Sequence, residues 1–344
     1  MTHLNSINVG DCLEGMRKLP ADCVDLVFDS PPYSDARTYG IGFSLKGQAW
    51  VDWMIERTVE ALRLAPLVCT VIEARTEHFS WGAEPVLLMA DLVRRGIALR
   101  KPPVFHRVGV PGSGGPDWLR NDYEFIVCAT RGGKLPWSDN TAMGHPPKWA
   151  PGGEMSNRLT NGARVNQWGH PIDSGATQVD ADGVITSKGK RPSHVLVNGR
   201  DQWGGTGHAS SGEGRSQNGQ HKTNRKITKQ KDGMHGGQDS TYYSEPVLAN
   251  PGNVVTCLVG GGVMGSRMCH ENEAPFPESL PEFFIRSFCK PGGVVLDRFC
   301  GSGTTAAVAH ALGRKYITFD VRESQVKLAK RRLANVTPPL FAEA

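Results

Sequence analysis

The sequence predicts an α/β protein, a sheet covered by helices and interrupted by a loop-rich insert. Three observations predict it. Short apolar runs alternate with helical patterns over residues 1–130, and the same alternation returns over residues 271–337. Between them, residues 131–270 hold 25 of the 41 glycines, many Asn, Ser, Thr and Gln, and little apolar periodicity.

Taken in order, Val24 to Phe28 reads as a buried strand ending at Asp29. Residues 48–65 place Trp50, Trp53, Met54, Ala61, Leu62 and Ala65 along one helical face, where both tryptophans read as core. Leu67 to Ile72 is the next strand, residues 84–95 a helix, and Tyr123 to Ala129 another strand. After the glycine-rich zone, Pro281 to Cys289 is helical in pattern and Val294 to Leu296 is a short strand ending at Asp297. A glycine turn follows, then a helix from Thr304 to Leu312, a strand from Tyr316 to Phe319 ending at Asp320, and a closing helix from Glu323 to Leu333.

Composition narrows the class. Of 344 residues 39% are hydrophobic, enough for a packed core. The net charge is +5, but its distribution says more than its size. Residues 188–231 carry ten Lys/Arg against two acids, a local +8, so the remainder is close to −3. The eight cysteines form no C-x-x-C pair, which disfavours a zinc or dithiol redox site. Most sit in apolar runs, as expected of buried free thiols in a reducing compartment. The sequence shows no signal-peptide pattern, and no run approaches the length of apolar chain that spans a bilayer.

Phe299-Cys300-Gly301-Ser302-Gly303-Thr304 lies between a strand and a helix. Glycines there let the backbone approach a ligand, and a helix N-terminus offers free N–H groups to its carboxylate. Asp320, at the end of the next strand, can accept from ribose hydroxyls. A purely structural turn is the plainer reading of a lone G-x-G; the order strand, turn, helix, strand, acid favours a nucleoside cofactor. Ala306 stands where a third glycine would favour NAD, a pattern that tolerates Ala, so NAD is weakened and not excluded.

Ser30-Pro31-Pro32-Tyr33 follows the first buried strand. Two prolines fix the backbone and remove two donors, leaving carbonyls as directed acceptors. Alone this is a rigid turn. With Ser30 and Tyr33 it also offers what an exocyclic amino group on a base needs. Acceptors for both N–H groups shift the nitrogen toward tetrahedral geometry and free its lone pair. An aromatic face can stack on a base rotated out of a duplex.

These motifs, in this order, resemble the β group of DNA N4-cytosine/N6-adenine methyltransferases. The resemblance covers roughly residues 5–130 and 271–334. It implies a Rossmann-like S-adenosylmethionine-dependent methyltransferase fold, circularly permuted. Such a fold has a mixed, mostly parallel sheet with helices on both faces. It also implies a division into a catalytic half (1–130), a target-recognition insert (131–270) and a cofactor-binding half (271–337). Val9-Gly10-Asp11-Cys12 resembles the segment whose acid contacts the cofactor's adenine, and Ala274-Pro275-Phe276-Pro277 the segment that holds its methionine end. Val295 to Thr304 resembles the cofactor loop. The resemblance thus assigns Ser30, Pro31, Pro32 and Tyr33 to catalysis. Asp11, Asp29, Phe276, Pro277, Asp297, Phe299, Gly301, Gly303, Thr304 and Asp320 go to the cofactor, S-adenosyl-L-methionine, and no metal is expected. The chain departs from the pattern at Arg298, where the family has Pro, and at Glu271-Asn272-Glu273, which displaces His270 from Ala274.

In this family Ser at position 30 favours cytosine N4, with adenine N6 the alternative. No Pro-Cys pair is present, which disfavours C5 methylation. The basic stretch, with Lys222, Arg225 and Lys226, falls where the family reads double-stranded DNA. Segment 105–124, from Phe105-His106-Arg107 to Asn121-Asp122-Tyr123-Glu124, resembles a family loop beside the flipped-base pocket, where His106 and Arg107 read either as DNA contacts or as satisfied polar residues of the loop. Asp35, Arg37 and Tyr39 read either as pocket residues or as solvated loop. The resemblance further implies a cytoplasmic protein, prokaryotic or phage-encoded. It is compatible with a cognate restriction endonuclease and a homodimer. Competing readings are a non-catalytic DNA-binding module, disfavoured by the intact Ser30, Gly301, Gly303 and Asp320 set, and RNA or protein-amide methylation. A dehydrogenase is disfavoured by the permuted order.

Overall fold

A computed structural model describes residues 4–34, 42–109, 117–146, 248–260, 275–336, Met264, Gly265, Met268 and Glu271, and four short strands between 177 and 201. By contacts the chain divides into one unit of residues 1–145 with 250–344 and another of residues 146–249.

The first unit opens with β1 (Ser6–Val9), α1 (Cys12–Arg17), β2 (Leu26–Asp29), α2 (Gly47–Leu64) and β3 (Leu67–Ile72). A hairpin of β4 (Thr76–Glu77) and β5 (Ser80–Trp81) precedes α3 (Glu84–Arg94), β6 (Ala98–Leu99), β7 (Val104–Val108) and β8 (Tyr123–Thr130). The second unit contains two hairpins, β9 (Thr177–Val179) with β10 (Ile185–Lys188) and β11 (Leu196–Val197) with β12 (Arg200–Asp201). The first unit resumes with β13 (Val254–Leu258), α4 (Ser279–Phe288), β14 (Val294–Asp297), α5 (Thr304–Ala311), β15 (Lys315–Asp320) and α6 (Glu323–Leu333).

Local chemistry accounts for the elements. Asp11 caps α1, its carboxylate accepting from the Leu13 and Glu14 amides. In α2 the buried Trp50, Met54, Thr58, Ala61 and Leu62 recur at helical spacing. Proline opens α3, where a missing N–H costs nothing. Glu323 in the first turn of α6 and Lys330, Arg331 and Arg332 in its last complement the helix dipole. Strands β2 and β3 are buried on both faces and so appear as mostly apolar runs without alternation.

Nine strands form one sheet in the order β1-β15-β14-β2-β3-β8-β7-β13, with β6 also paired to β8. Every pairing in it is parallel except those made by β8, which runs against its neighbours. Helices cover both faces. Leu26 and Phe28 pack with Phe284 of α4, Ala306 of α5 and Ala329 of α6, whereas Val27 packs with Met16 of α1, Met54 of α2 and Leu88 of α3. The mixed, mostly parallel Rossmann-like architecture expected from the sequence is therefore present. It is circularly permuted, since the central pair β14 and β2 comes from opposite ends of the chain.

One element departs from expectation. β13 falls inside residues 131–270, yet Val254 to Leu258 pair in register with Val104 to Val108 at the sheet edge. Only alternate residues of this edge strand are buried, too weak a pattern to stand out among glycines. The unit 146–249 is correspondingly shorter than the expected insert.

Candidate active site

Strands β1, β15, β14 and β2 run parallel, so their carboxyl ends open on one edge of the sheet. From β14 the chain moves to β15 on one side, and from β2 to β3 on the other. Such a reversal leaves a crevice where ligands of open α/β sheets bind. The cleft there is lined by Asp11, Ser30, Pro31, Pro32, Tyr33, Phe43, Trp53, Phe276, Arg298, Phe299, Gly301, Thr304, Asp320 and their neighbours.

At one end the turn after β14 is built on glycine. Gly301 and Gly303 adopt left-handed φ of 47° and 78°, a region costly for other residues. A Cβ on Gly303 would lie 2.7 Å from Cβ of Ala329 on α6. That glycine therefore permits helix packing as well as the turn. Asp320 fixes the loop, its Oδ2 accepting from the Gly301 amide at 2.9 Å and its Oδ1 from the Arg322 amide at 2.8 Å. Asp11 accepts from Leu13 N–H at 2.7 Å and from the Arg57 guanidinium at 2.7 Å. Burial raises the Asp11 carboxyl, but Arg57 and the helix amides outweigh it and hold the group below its usual range. Arg57 in turn lies 4.1 Å over the Trp53 ring.

Beneath the cleft, Arg298 and Asp29 form a fully buried ion pair. Burial, reinforced by the nearby Asp29 charge, pushes Asp297 up to about 8.

At the other end the tetrapeptide leaves β2. Trp50 Nε1 donates to the Pro32 carbonyl at 2.9 Å and so anchors the turn from α2. Buried Glu84 holds the next residues, accepting from Ser34 Oγ at 2.5 Å and the Gly47 amide at 3.0 Å. Ser30 Oγ donates to Tyr33 Oη at 3.1 Å, and Tyr33 Oη donates to Glu124 Oε2 at 2.6 Å. Glu124 also pairs with Arg107 Nη1 at 3.1 Å. Burial raises the Glu124 carboxyl above its usual value against the opposing pull of Tyr33 and Arg107.

A family model described as DNA methylase matches residues 24–331. The chain belongs to this DNA methylase family.

Among relatives of the methylase, the DNA adenine methyltransferase YhdJ of Escherichia coli K12 is 46% identical over 325 residues, covering 94% of this chain and 81% of that one. Shorter matches include the type II methyltransferase M.HinfI of Haemophilus influenzae, 48% identical over 62 residues, which is 18% of this chain and 17% of that protein. The aligned stretch of the type II methyltransferase M2.DpnII of Streptococcus pneumoniae is likewise 21% of its length, so these matches span well under a third of either relative. The solved structure of PvuII DNA methyltransferase (cytosine-N4-specific) shares the fold, with a TM-score of 0.57 and 16% identity over 98% of this chain and 89% of that one.

Most residues singled out in the methylase sequence meet in one cleft. Ser30, Pro31, Pro32, Tyr33, Asp11, Phe276, Phe299, Gly301, Thr304 and Asp320 all line it. Asp29, Asp297 and Gly303 lie behind the lining and hold it up. Pro277 lies outside the lining, beside Pro275 and Phe276, which are part of it. His106 instead contacts Thr256 of β13 through Nδ1 at 3.2 Å, and Arg107 turns toward Glu124. Lys222, Arg225, Lys226, Asp35, Arg37 and Tyr39 lie outside the described residues. Sequence reasoning missed Glu84, which has no motif, and held Glu124 only as the end of the 105–124 segment, with no role or partner of its own. It read Trp50 and Trp53 as core; Trp50 is core, but its indole N–H also anchors the turn, while Trp53 lines the cleft.

Proposed function

We propose that this methylase transfers a methyl group from S-adenosyl-L-methionine to the exocyclic amino group of a base in double-stranded DNA. The observation that carries the reading is the single cleft joining the Ser30-Pro31-Pro32-Tyr33 turn to the Gly301–Thr304 loop. Its residues suit that cofactor. Phe43, Trp53, Phe276 and Phe299 supply apolar faces for an adenine, and Asp320 supplies a carboxylate for ribose hydroxyls. Asp11 serves the adenine amino group. Arg298 Nη1 is buried in the cleft wall without a hydrogen-bond partner, a donor suited to an anionic group. When bound, the cofactor supplies a methyl group activated by a positive sulfur.

The protein's share is alignment and charge. Ser30 Oγ, already donating to Tyr33, keeps its lone pairs for an N–H of the target amino group. The Pro31 carbonyl supplies the second acceptor. Together they draw the nitrogen lone pair out of conjugation and stabilise the positive charge that develops on it. The Tyr33 ring stacks on the flipped base. Holding nitrogen, methyl and sulfur in line contributes the entropic part of the acceleration.

Ser30 favours cytosine N4. Adenine N6 is the second reading, favoured by the 46% identity to a protein named as an adenine methyltransferase. Contact with DNA phosphates by the basic stretch around Lys222, Arg225 and Lys226 belongs to the same proposal, as do a cognate restriction endonuclease and a homodimer. Calorimetric titration and methylation assays test the site. Ser30→Ala is expected to lower methyl transfer at least about a hundredfold while leaving cofactor affinity within about twofold. Equal loss of both contradicts the assigned roles.

A further inference from the structure

We propose that Ser30, Tyr33 and Glu124 form a proton relay that carries away the proton released when the target nitrogen is methylated. The inference rests on the amino-methylation reading and adds to it a path and an acceptor. A C–N bond forms as the methyl–sulfur bond breaks, leaving the nitrogen with one hydrogen too many for a neutral product. One N–H bond must then break, inside a cleft. A serine hydroxyl is too weak a base to keep that proton, so it must pass its own proton onward as it takes one.

The geometry provides the onward path. Ser30 Oγ donates to Tyr33 Oη at 3.1 Å, and Tyr33 Oη donates to Glu124 Oε2 at 2.6 Å, so both hydroxyl protons already point away from the substrate side. The amine proton moves to Ser30 Oγ, the serine proton to Tyr33 Oη, and the tyrosine proton to Glu124 Oε2, which becomes a neutral carboxyl group. After product release Glu124 returns the proton to solvent and the hydroxyls rotate back. No other reactant is needed.

The surroundings of Glu124 suit an acceptor. It lies at the start of β8, 8% exposed. Tyr33 faces it from the turn after β2 and Arg107 from β7, while Glu73, just past β3, adds a like charge. Burial and Glu73 raise its affinity for a proton, against the opposing pull of Tyr33 and Arg107. Glu73 is separately engaged, accepting from Trp81 Nε1 at 3.0 Å and the Ala74 amide at 2.8 Å. Glu124 is thus a positioning residue for Ser30 in the resting site and the terminus of the path during turnover.

The test is single-turnover methylation of DNA with tritiated S-adenosyl-L-methionine from about pH 5.5 to about pH 9, comparing wild type, Tyr33→Phe and Glu124→Gln. Tyr33→Phe keeps the aromatic face but breaks the path. It is expected to slow transfer at least about tenfold with cofactor affinity within about twofold of wild type. The wild-type rate should fall at low pH as Glu124 protonates, and Glu124→Gln should be slow and lack that acid limb. A Tyr33→Phe rate within about twofold of wild type, or an acid limb unchanged in Glu124→Gln, overturns the relay. If Glu124→Gln does not fold, Tyr33→Phe alone decides. A wild-type protein that labels no DNA overturns the amino-methylation reading and the relay with it.

Discussion

Arg298 grips Asp29 with two nearly parallel hydrogen bonds, Nε to Oδ2 at 2.6 Å and Nη2 to Oδ1 at 2.9 Å, and neither side chain reaches solvent. Asp29 ends β2 and Arg298 directly follows the adjacent β14, yet they lie 269 positions apart, so the pair ties the two halves of the permuted fold together at the floor of the cleft. Nη2 also donates to Thr70 Oγ1 at 2.7 Å, extending the tie to β3.

Removing one partner leaves the other charge buried and unpaired. Arg298→Met should therefore cost on the order of 3–5 kcal/mol in urea denaturation. The double variant Arg298→Met with Asp29→Leu should recover most of that loss, because an apolar pair is a fair substitute for a buried ion pair. A single variant within about 0.5 kcal/mol of wild type would show that the pair carries no structural weight.

Asp297 gives a pH signature. Burial lifts its folded pKa to about 8, well above its unfolded value. Between those two values the folded state holds a proton that the unfolded state has lost. Stability from this group is thus full at low pH and declines as pH rises from about 4 toward about 8. Asp297→Asn should lose that slope, so its melting temperature relative to wild type should rise steadily across the window. A difference that stays constant with pH would contradict the assignment.

Gly303 is predicted to resist substitution for two separate reasons, its φ of 78° and the 2.7 Å approach of any added Cβ to Ala329. Gly303→Ala should lower stability by about 1–3 kcal/mol, the usual cost of overpacking, in thermal or urea unfolding. Trimming the opposing side chain with Ala329→Gly should return only part of this, since the backbone strain remains.

Trp50 offers a subtler test. Trp50→Phe keeps an aromatic core residue but removes the donor to the Pro32 carbonyl. The expected loss is about 1 kcal/mol of stability and a fall in kcat larger than any change in cofactor affinity. Unchanged kcat would mean that the prolines alone hold the turn.

How much of this was legible in the sequence depends on the range of the interaction. The strands at Leu26–Asp29 and Leu67–Ile72 are mostly apolar runs, and the Gly301–Thr304 turn sits between a strand and a helix, so local pattern suffices for both. The hydrogen-bond chain from Tyr33 to Glu124 spans 91 positions and follows from the pairing of β2 with β3 and of β3 with β8. In sequence Glu124 only closes a segment that resembles a family loop, and its partner there is not visible. Arg298 reads from sequence only as a departure from family pattern; its use becomes plain once β14 and β2 are seen side by side. The carboxylate partner of Arg107 is likewise visible only in the fold, since Glu124 lies on the neighbouring strand.

The proposed reaction is methyl transfer to an exocyclic amino group in DNA. It is tested most directly by incubating the protein with tritiated S-adenosyl-L-methionine and unmethylated double-stranded DNA, digesting to nucleosides and identifying the labelled one. Label is expected in N4-methylcytosine, with N6-methyladenine the outcome if Ser30 does not set the base, and DNA that carries no label would contradict amino-methylation.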